Sequence, residues 1–252
     1  MIYHLPHVPK RTEKPRAVGL TMVMDKGLSV REAENLVGAS ADYIDFLKLG
    51  FGTALVSKNL QEKIKVYQSA GAKVYFGGTM FELFIVRGLF DEYRKLIDKY
   101  GVDLVEVSDG SMEMNHDEKC EYIRILSQDI TVISEVGSKQ AGVVIPDEQW
   151  VNMMNKELQA GSFKVIAEAR EAGNIGIYKP DGSLEKQLVD TITNNVPIDD
   201  IIWETPAKSQ QVTFVKLFGA NVNLGNIAPA EVISLETIRR GLRGDTFFHF
   251  LP

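Results

Sequence analysis

The sequence is poor in the residues that usually announce a chemistry. Its 252 residues hold one cysteine, Cys120, which excludes an internal disulfide and any zinc cluster built on several thiolates. Cys120 lies in the helical pattern HDEKCEYIRIL and reads as helix packing. Of the four histidines, His4 and His7 sit in a proline-flanked tail, His116 and His249 lie off the strand ends, and no HExxH occurs. Acid and base work therefore falls to lysine or carboxylate. No apolar run approaches the roughly 20 residues of a membrane span, and MIYHLPHVPKRTEKPR has no apolar centre of the signal-peptide kind. A soluble, cytoplasmic protein is expected, without a membrane partner. The absence of GxSxG and P-loop patterns leaves neither a nucleophile elbow nor a nucleoside triphosphate site indicated. A formal net charge of −6 argues against nucleic acid as a partner. Lys10, Arg11, Lys14 and Arg16 form a small basic cluster, read as part of a solvated N-terminal arm over residues 1–16.

What is present is alternation. Apolar runs of strand length recur at 17–25, 43–50, 72–79, 104–110, 131–138, 163–169, 201–206 and 221–227, each followed by a longer amphipathic stretch. Helix punctuation fits between them. Ser29 with Glu32 and Asn115 with Glu118 have capping-box spacing, Gly71 and Gly161 stand where helices should stop, and Pro229 suits a first helical turn. Eight βα units in a chain of this length predict one TIM barrel, a (β/α)8 α/β fold in a single domain over 1–252. A doubly wound open sheet is the alternative.

In such a barrel, side chains alternate between interior and helix layer, and chemistry gathers at the C-terminal ends of the strands. One parity per strand puts Lys48, Glu106, Glu135, Glu168, Glu204 and Asn223 late in strands two, four, five, six, seven and eight. Four buried glutamates demand positive charge among them, because an unpaired desolvated carboxylate costs several kcal/mol. Lys48, Lys139, Arg170 or a divalent metal are the candidates. Mg²⁺ takes only one or two protein carboxylates and fills its shell with water and substrate oxygen, so not every glutamate need be a ligand. Small residues at Gly77, Gly78 and in LGNIAP, which contains Asn226, let backbone approach a ligand, and a phosphate site after strand eight is one reading. Arg243 with Asp245 fits either that site or a cap on the last helix.

GLTMVMDKG, DYIDFLKLGFGT, VYFGGTMFE, EVSDGSMEM, SEVGSK, EAR and NVNLGNI, in that order over nearly the whole chain, resemble the phosphosulfolactate synthase family. That family also has a plant branch associated with heat-stress tolerance. The resemblance implies a TIM-barrel carbon–sulfur lyase acting in the synthetic direction. It would add sulfite to phosphoenolpyruvate with Mg²⁺, giving (2R)-2-phospho-3-sulfolactate, the entry step of one coenzyme M pathway. A homo-oligomer is implied as well, with a trimer as one form of it. On that view Lys139 is the proton donor, with Lys48 its rival and otherwise a neutraliser of charge. Glu135 orients these cations, and Glu106, Glu168 and Glu204 hold the metal. Arg170 grips sulfite or phosphate, and Gly77, Gly78, Asn223, Asn226 and Arg243 line the substrate. Asp25 and Asp109 lie near strand ends on the opposite parity. Two other readings stay open: another barrel lyase or Schiff-base aldolase acting on a small phosphorylated acid or keto acid, and a non-catalytic stress-related protein on the same fold.

Overall fold

A computed structural model of the chain describes residues 4–138, 145–169 and 173–252. Eight parallel strands form one sheet: β1 (Thr21–Asp25), β2 (Phe46–Leu49), β3 (Lys73–Phe76), β4 (Leu104–Val107), β5 (Thr131–Val136), β6 (Ser162–Ala167), β7 (Ile201–Glu204) and β8 (Leu224–Ile227). The ladder runs β3-β2-β1-β8-β7-β6-β5-β4, so β1 pairs with β8 and the sheet curls round on itself. At the remaining seam Asp103 substitutes for ladder bonds. Its amide donates to the Val74 carbonyl at 2.9 Å and its carboxylate accepts from the Val74 amide at 2.9 Å. The result is a nearly closed (β/α)8 barrel, as the alternation predicts.

All eight expected strands exist, each shorter than its apolar run. Nine helices surround them among the described residues: α1 (Val30–Ser40), α2 (Leu60–Ser69), α3 (Gly78–Ile85), α4 (Phe90–Tyr100), α5 (His116–Leu126), α6 (Asp147–Ala160), α7 (Lys186–Asn195), α8 (Lys208–Phe218) and α9 (Val232–Arg239). The Ser29/Glu32 box caps α1, Asn115 caps α5 through the Asp117 amide, and Gly161 ends α6 in the left-handed region. Pro229 opens a 3-10 turn that leads into α9. Two helices between β3 and β4 were not foreseen, because GGT reads as the end of a strand. Instead β3 stops at Phe76, and α3 begins at Gly78.

The barrel interior is stratified. Leu20, Met22, Phe46, Tyr75, Leu104, Ile133, Ile166 and Ile202 form a largely apolar plug across its middle. Below the plug, at the N-terminal end of the strands, the basic segment is docked rather than solvated. The Arg11 guanidinium is buried, pairs with Glu236 at 3.3 Å and donates to the carbonyls of Ala220 and Gly19. Arg16 pairs with Asp45 at 2.9 Å, and Lys14 donates to the carbonyls of Ala41 and Ile44. Buried carbonyls and carboxylates at the barrel floor draw these cations in, because an unsatisfied buried polar group is costly.

Candidate active site

Above the plug lie the charges. Lys48 on β2 stands on the same level as Tyr75 on β3, and its ammonium reaches Glu106 at 2.9 Å, Glu135 at 3.4 Å and Glu204 at 3.7 Å. All four side chains are buried. Parity produces this convergence, since each polar residue lies two positions beyond a plug residue on its own strand: Lys48 after Phe46, Glu106 after Leu104, Glu135 after Ile133, Glu168 after Ile166 and Glu204 after Ile202. The charge expected among the glutamates is supplied at least by Lys48. Burial alone would lower its pKa, but Glu106, Glu135 and Glu204 outweigh burial and hold the ammonium well above the usual lysine range. A lysine held protonated in this way is a poor Schiff-base nucleophile, which needs the neutral amine.

Glu135, Glu168 and Glu204 each offer a carboxylate oxygen within 4.8 Å of the others, from the ends of β5, β6 and β7. Buried oxygen donors in this number suit a hard cation such as Mg²⁺. Glu106 stands apart from this trio. One of its oxygens is used by Lys48 and by the Gly78 amide at 2.6 Å, which leaves it capping α3. Geometry thus brings Glu135 into the carboxylate trio where the sequence reading had Glu106. Glu204 is oriented by the Ala169 amide at 3.0 Å.

Gly77 and Gly78 lie at the mouth, where their lack of a Cβ also makes room for neighbouring side chains. A Cβ on Gly78 would lie 2.1 Å from the Ser108 hydroxyl oxygen and 2.7 Å from a Glu106 carboxylate oxygen, and one on Gly77 would lie 2.9 Å from the Lys48 Cε. Gly137, at φ +144°, leaves space that a Cβ would take at 2.3 Å from the Glu168 Cβ. Asn226 lies in β8 at mouth level. Asn223 does not. It precedes β8 and sits at the floor, where it accepts from the Leu20 amide at 3.0 Å and donates to the carbonyls of Asp199 and Ile201. The parity count failed there because β8 begins three residues later than its apolar run. Arg243 is half exposed and pairs with Asp245 at 3.1 Å, which supports the ion-pair reading. Lys139 and Arg170 lie outside the described residues.

The carboxylates on the opposite parity are satisfied by partners of their own. Asp25 accepts from Lys63 at 2.7 Å, from Tyr67 and from the amides of Gly27 and Leu28. Asp109 pairs with Lys119 at 2.8 Å. Sequence reading passed over Tyr75 and Ser108, although their parity gave the signal. Tyr75 is fully buried beside Lys48, and burial, then Glu106, pushes its phenol far above the usual range, so the hydroxyl stays protonated. Ser108, two residues beyond Glu106, donates to Glu82 on α3.

With this geometry in view, likeness to known proteins becomes informative. The (2R)-phospho-3-sulfolactate synthase family profile matches residues 9–245. A phosphosulfolactate synthase of Methanocaldococcus jannaschii is 44% identical over 237 residues, 91% of this chain and 94% of that one. Another from Methanothermobacter thermautotrophicus is 42% identical over 94% of this chain and 95% of its own, and one from Bacillus subtilis is 38% identical over 96% and 97%. Among solved structures, a 3-hexulose-6-phosphate synthase superposes with a TM-score of 0.58 at 17% identity, covering 87% of this chain and 99% of its own, a likeness of fold alone. Among the described residues, no helix is long and apolar enough to cross a membrane. Matched along nearly its whole length, the chain belongs to the (2R)-phospho-3-sulfolactate synthase family.

Proposed function

We propose that the protein adds sulfite to phosphoenolpyruvate to give (2R)-2-phospho-3-sulfolactate, with Mg²⁺ as cofactor and as a carbon–sulfur lyase working in the synthetic direction. The observation that carries this reading is the trio Glu135, Glu168 and Glu204 beside the buried Lys48, at the C-terminal end of a barrel from this family. The same reading has the enzyme cytoplasmic and homo-oligomeric.

In the reaction the sulfite sulfur bonds to the methylene carbon of phosphoenolpyruvate, the double bond shifts its electron pair toward C2 and the carboxylate, and C2 then takes a proton. The enzyme must stabilise an enolate-like dianion and deliver that proton. Lys48, a fixed positive charge in a dry setting, lowers the cost of negative charge on the substrate carboxylate. Glu135, Glu168 and Glu204 would hold the cation, which when bound supplies Lewis-acid stabilisation of the same charge. Glu106 keeps Lys48 in place and caps α3. We assign proton donation to Lys139 and the grip on sulfite or phosphate to Arg170 by its planar fork of donors.

The test is direct. Purified protein with phosphoenolpyruvate, sulfite and Mg²⁺ should consume sulfite and yield a sulfonate of the product mass, and EDTA should abolish the activity until Mg²⁺ is restored. Lys139→Ala should lower turnover by at least about 10²-fold while substrate binding persists. No turnover by the wild type under these conditions refutes the assignment. A lysine adduct trapped by borohydride would turn it toward the aldolase reading.

A further inference from the structure

Asn226 is the one residue of β8 whose backbone breaks the strand. It has φ +56°, in the left-handed region, although it is not glycine. The register explains how it comes to be there. Thr21 of β1 pairs with Leu224 and Val23 pairs with Ile227, so β8 spends three steps where β1 spends two. That is a β-bulge, a device that re-aims a side chain. Leu224 and Ile227 both pack into the outer core between sheet and helices. The extra residue leaves Gly225 and Asn226 together on the interior side. Gly225 is level with Glu204 of the carboxylate trio, so Asn226 follows at the rim of the mouth.

Two observations separate this from a bulge that merely tolerates asparagine. Glycine would take φ +56° at no steric cost, and glycine stands next door, where a Cβ would lie 2.4 Å from the Met22 methyl. The strained position itself nevertheless carries a side chain. That side chain is also unused by the fold. Asn226 is only 8% exposed, yet its amide oxygen is buried with no hydrogen-bond partner. Buried polar groups are nearly always paired, and strained backbone gathers at ligand sites. An amide not tied to the protein can turn about its broad terminal torsion and offer its NH₂ group to an incoming oxygen.

We infer that Asn226 is a substrate-contact residue, a neutral amide that the β8 bulge holds at the mouth to donate to an anionic oxygen of the substrate. This rests on the reading above that the substrates are small anions. Among four carboxylates a neutral donor contributes a hydrogen bond without adding charge. Phosphate, carboxylate and sulfite share the chemistry it recognises.

The experiment compares wild type with Asn226→Gly, which keeps the bulge and removes the amide, by thermal unfolding and by calorimetric titration with phosphoenolpyruvate, inorganic phosphate, pyruvate and sulfite, each in the presence of Mg²⁺. The variant should unfold at the wild-type temperature or above it. Its dissociation constant for phosphoenolpyruvate should rise about tenfold or more, the scale of one lost hydrogen bond to a charged group. A loss shared with phosphate alone places the contact at the phosphoryl group, one shared with pyruvate places it at the carboxylate, and one seen with sulfite places it at the nucleophile. Asn226→Ala should lose the same affinity and also unfold earlier, because its Cβ remains in the left-handed region. Phosphoenolpyruvate binding by Asn226→Gly within twofold of wild type overturns the inference, as does wild type that binds none of the four anions. Should wild type bind them through Asn226 yet turn nothing over, the reaction assignment fails and this contact stands.

Discussion

The two ends of the barrel interior both bury charge, and they use it in opposite ways. At the floor, cations are spent on backbone. Arg239 is fully buried and donates to the carbonyls of Ala220 at 2.8 Å, Val222 at 2.6 Å and Leu20 at 3.1 Å. Arg11 meets Ala220 from the other side, and Asn223 ties β8 to the entries of β1 and β7. These contacts bind the ends of the strands to one another through backbone carbonyls. At the mouth, Glu106, Glu135 and Glu204 from three strands converge on the Lys48 ammonium, and Glu135 and Glu204 keep oxygens within 4.8 Å of one another and of a Glu168 oxygen. Like charges so close gain nothing for the fold. The difference separates closure from chemistry: floor charges complete the backbone's hydrogen bonds, and mouth charges are gathered for something that arrives.

The largest expected effect breaks the comparison from the mouth side. Glu168→Gln preserves size and removes one charge of the trio. We expect turnover to fall about 10²-fold or more, the scale for losing one electrostatic element of an active site, with an unfolding temperature much closer to wild type than that of any floor-arginine variant. Steady-state formation of the sulfonate together with thermal unfolding measures both. Wild-type turnover in this variant would remove Glu168 from the catalytic set and reduce the trio to packing.

Arg239→Met tests the other end. Burial, reinforced by Arg11, lowers the Arg239 pKa well below the usual guanidinium range, so the fold carries this charge at a cost. It is retained for the three carbonyls it satisfies. Methionine fills the volume but takes the guanidinium donor from the Val222 carbonyl and one of two donors from those of Ala220 and Leu20, which keep Arg11 and the Leu224 amide, so stability should fall by about 2 kcal/mol or more. The rate per folded molecule should stay within twofold of wild type. Denaturant unfolding and an assay well below the midpoint measure the two separately. Unchanged stability would mean that water or backbone shifts replace the guanidinium, and the floor would not be the closure described.

How much of this was legible depended on whether a signal was local. Strand parity has a period of two, so Lys48, Glu106, Glu135, Glu168 and Glu204 could be read as one cluster from short windows. Asn223 was misassigned because parity does not give the starting residue of a strand, and the β8 bulge shifts the count again. The arm was misread for a different reason. Arg11 finds Glu236 across 225 positions of sequence, and no window of local pattern holds both. Gly78 also makes room for Ser108 and Glu106, a constraint visible only in three dimensions. The grouping of Glu135 with Glu168 and Glu204 likewise rests on how close their oxygens come in space, and the bond from the α3 amide to one Glu106 oxygen is not announced by anything in LVEV.

The smallest effect asks whether it is burial or the mere presence of ion pairs that makes the floor matter. Lys164 of β6 pairs with Asp200 at 3.1 Å beside the entry to β7, and the Asp200 side chain is 39% exposed. Water competes for that carboxylate, and the lysine stem stays packed whatever its partner. Asp200→Asn keeps an oxygen for the ammonium and removes only the charge, so it should cost less than about 1 kcal/mol, as exposed pairs do. Denaturant unfolding beside Arg239→Met is the measurement. If Asp200→Asn destabilised the protein as much as Arg239→Met does, closure would depend on pairing at the rim, and the contrast between a backbone-satisfying floor and a ligand-gathering mouth would have to be redrawn.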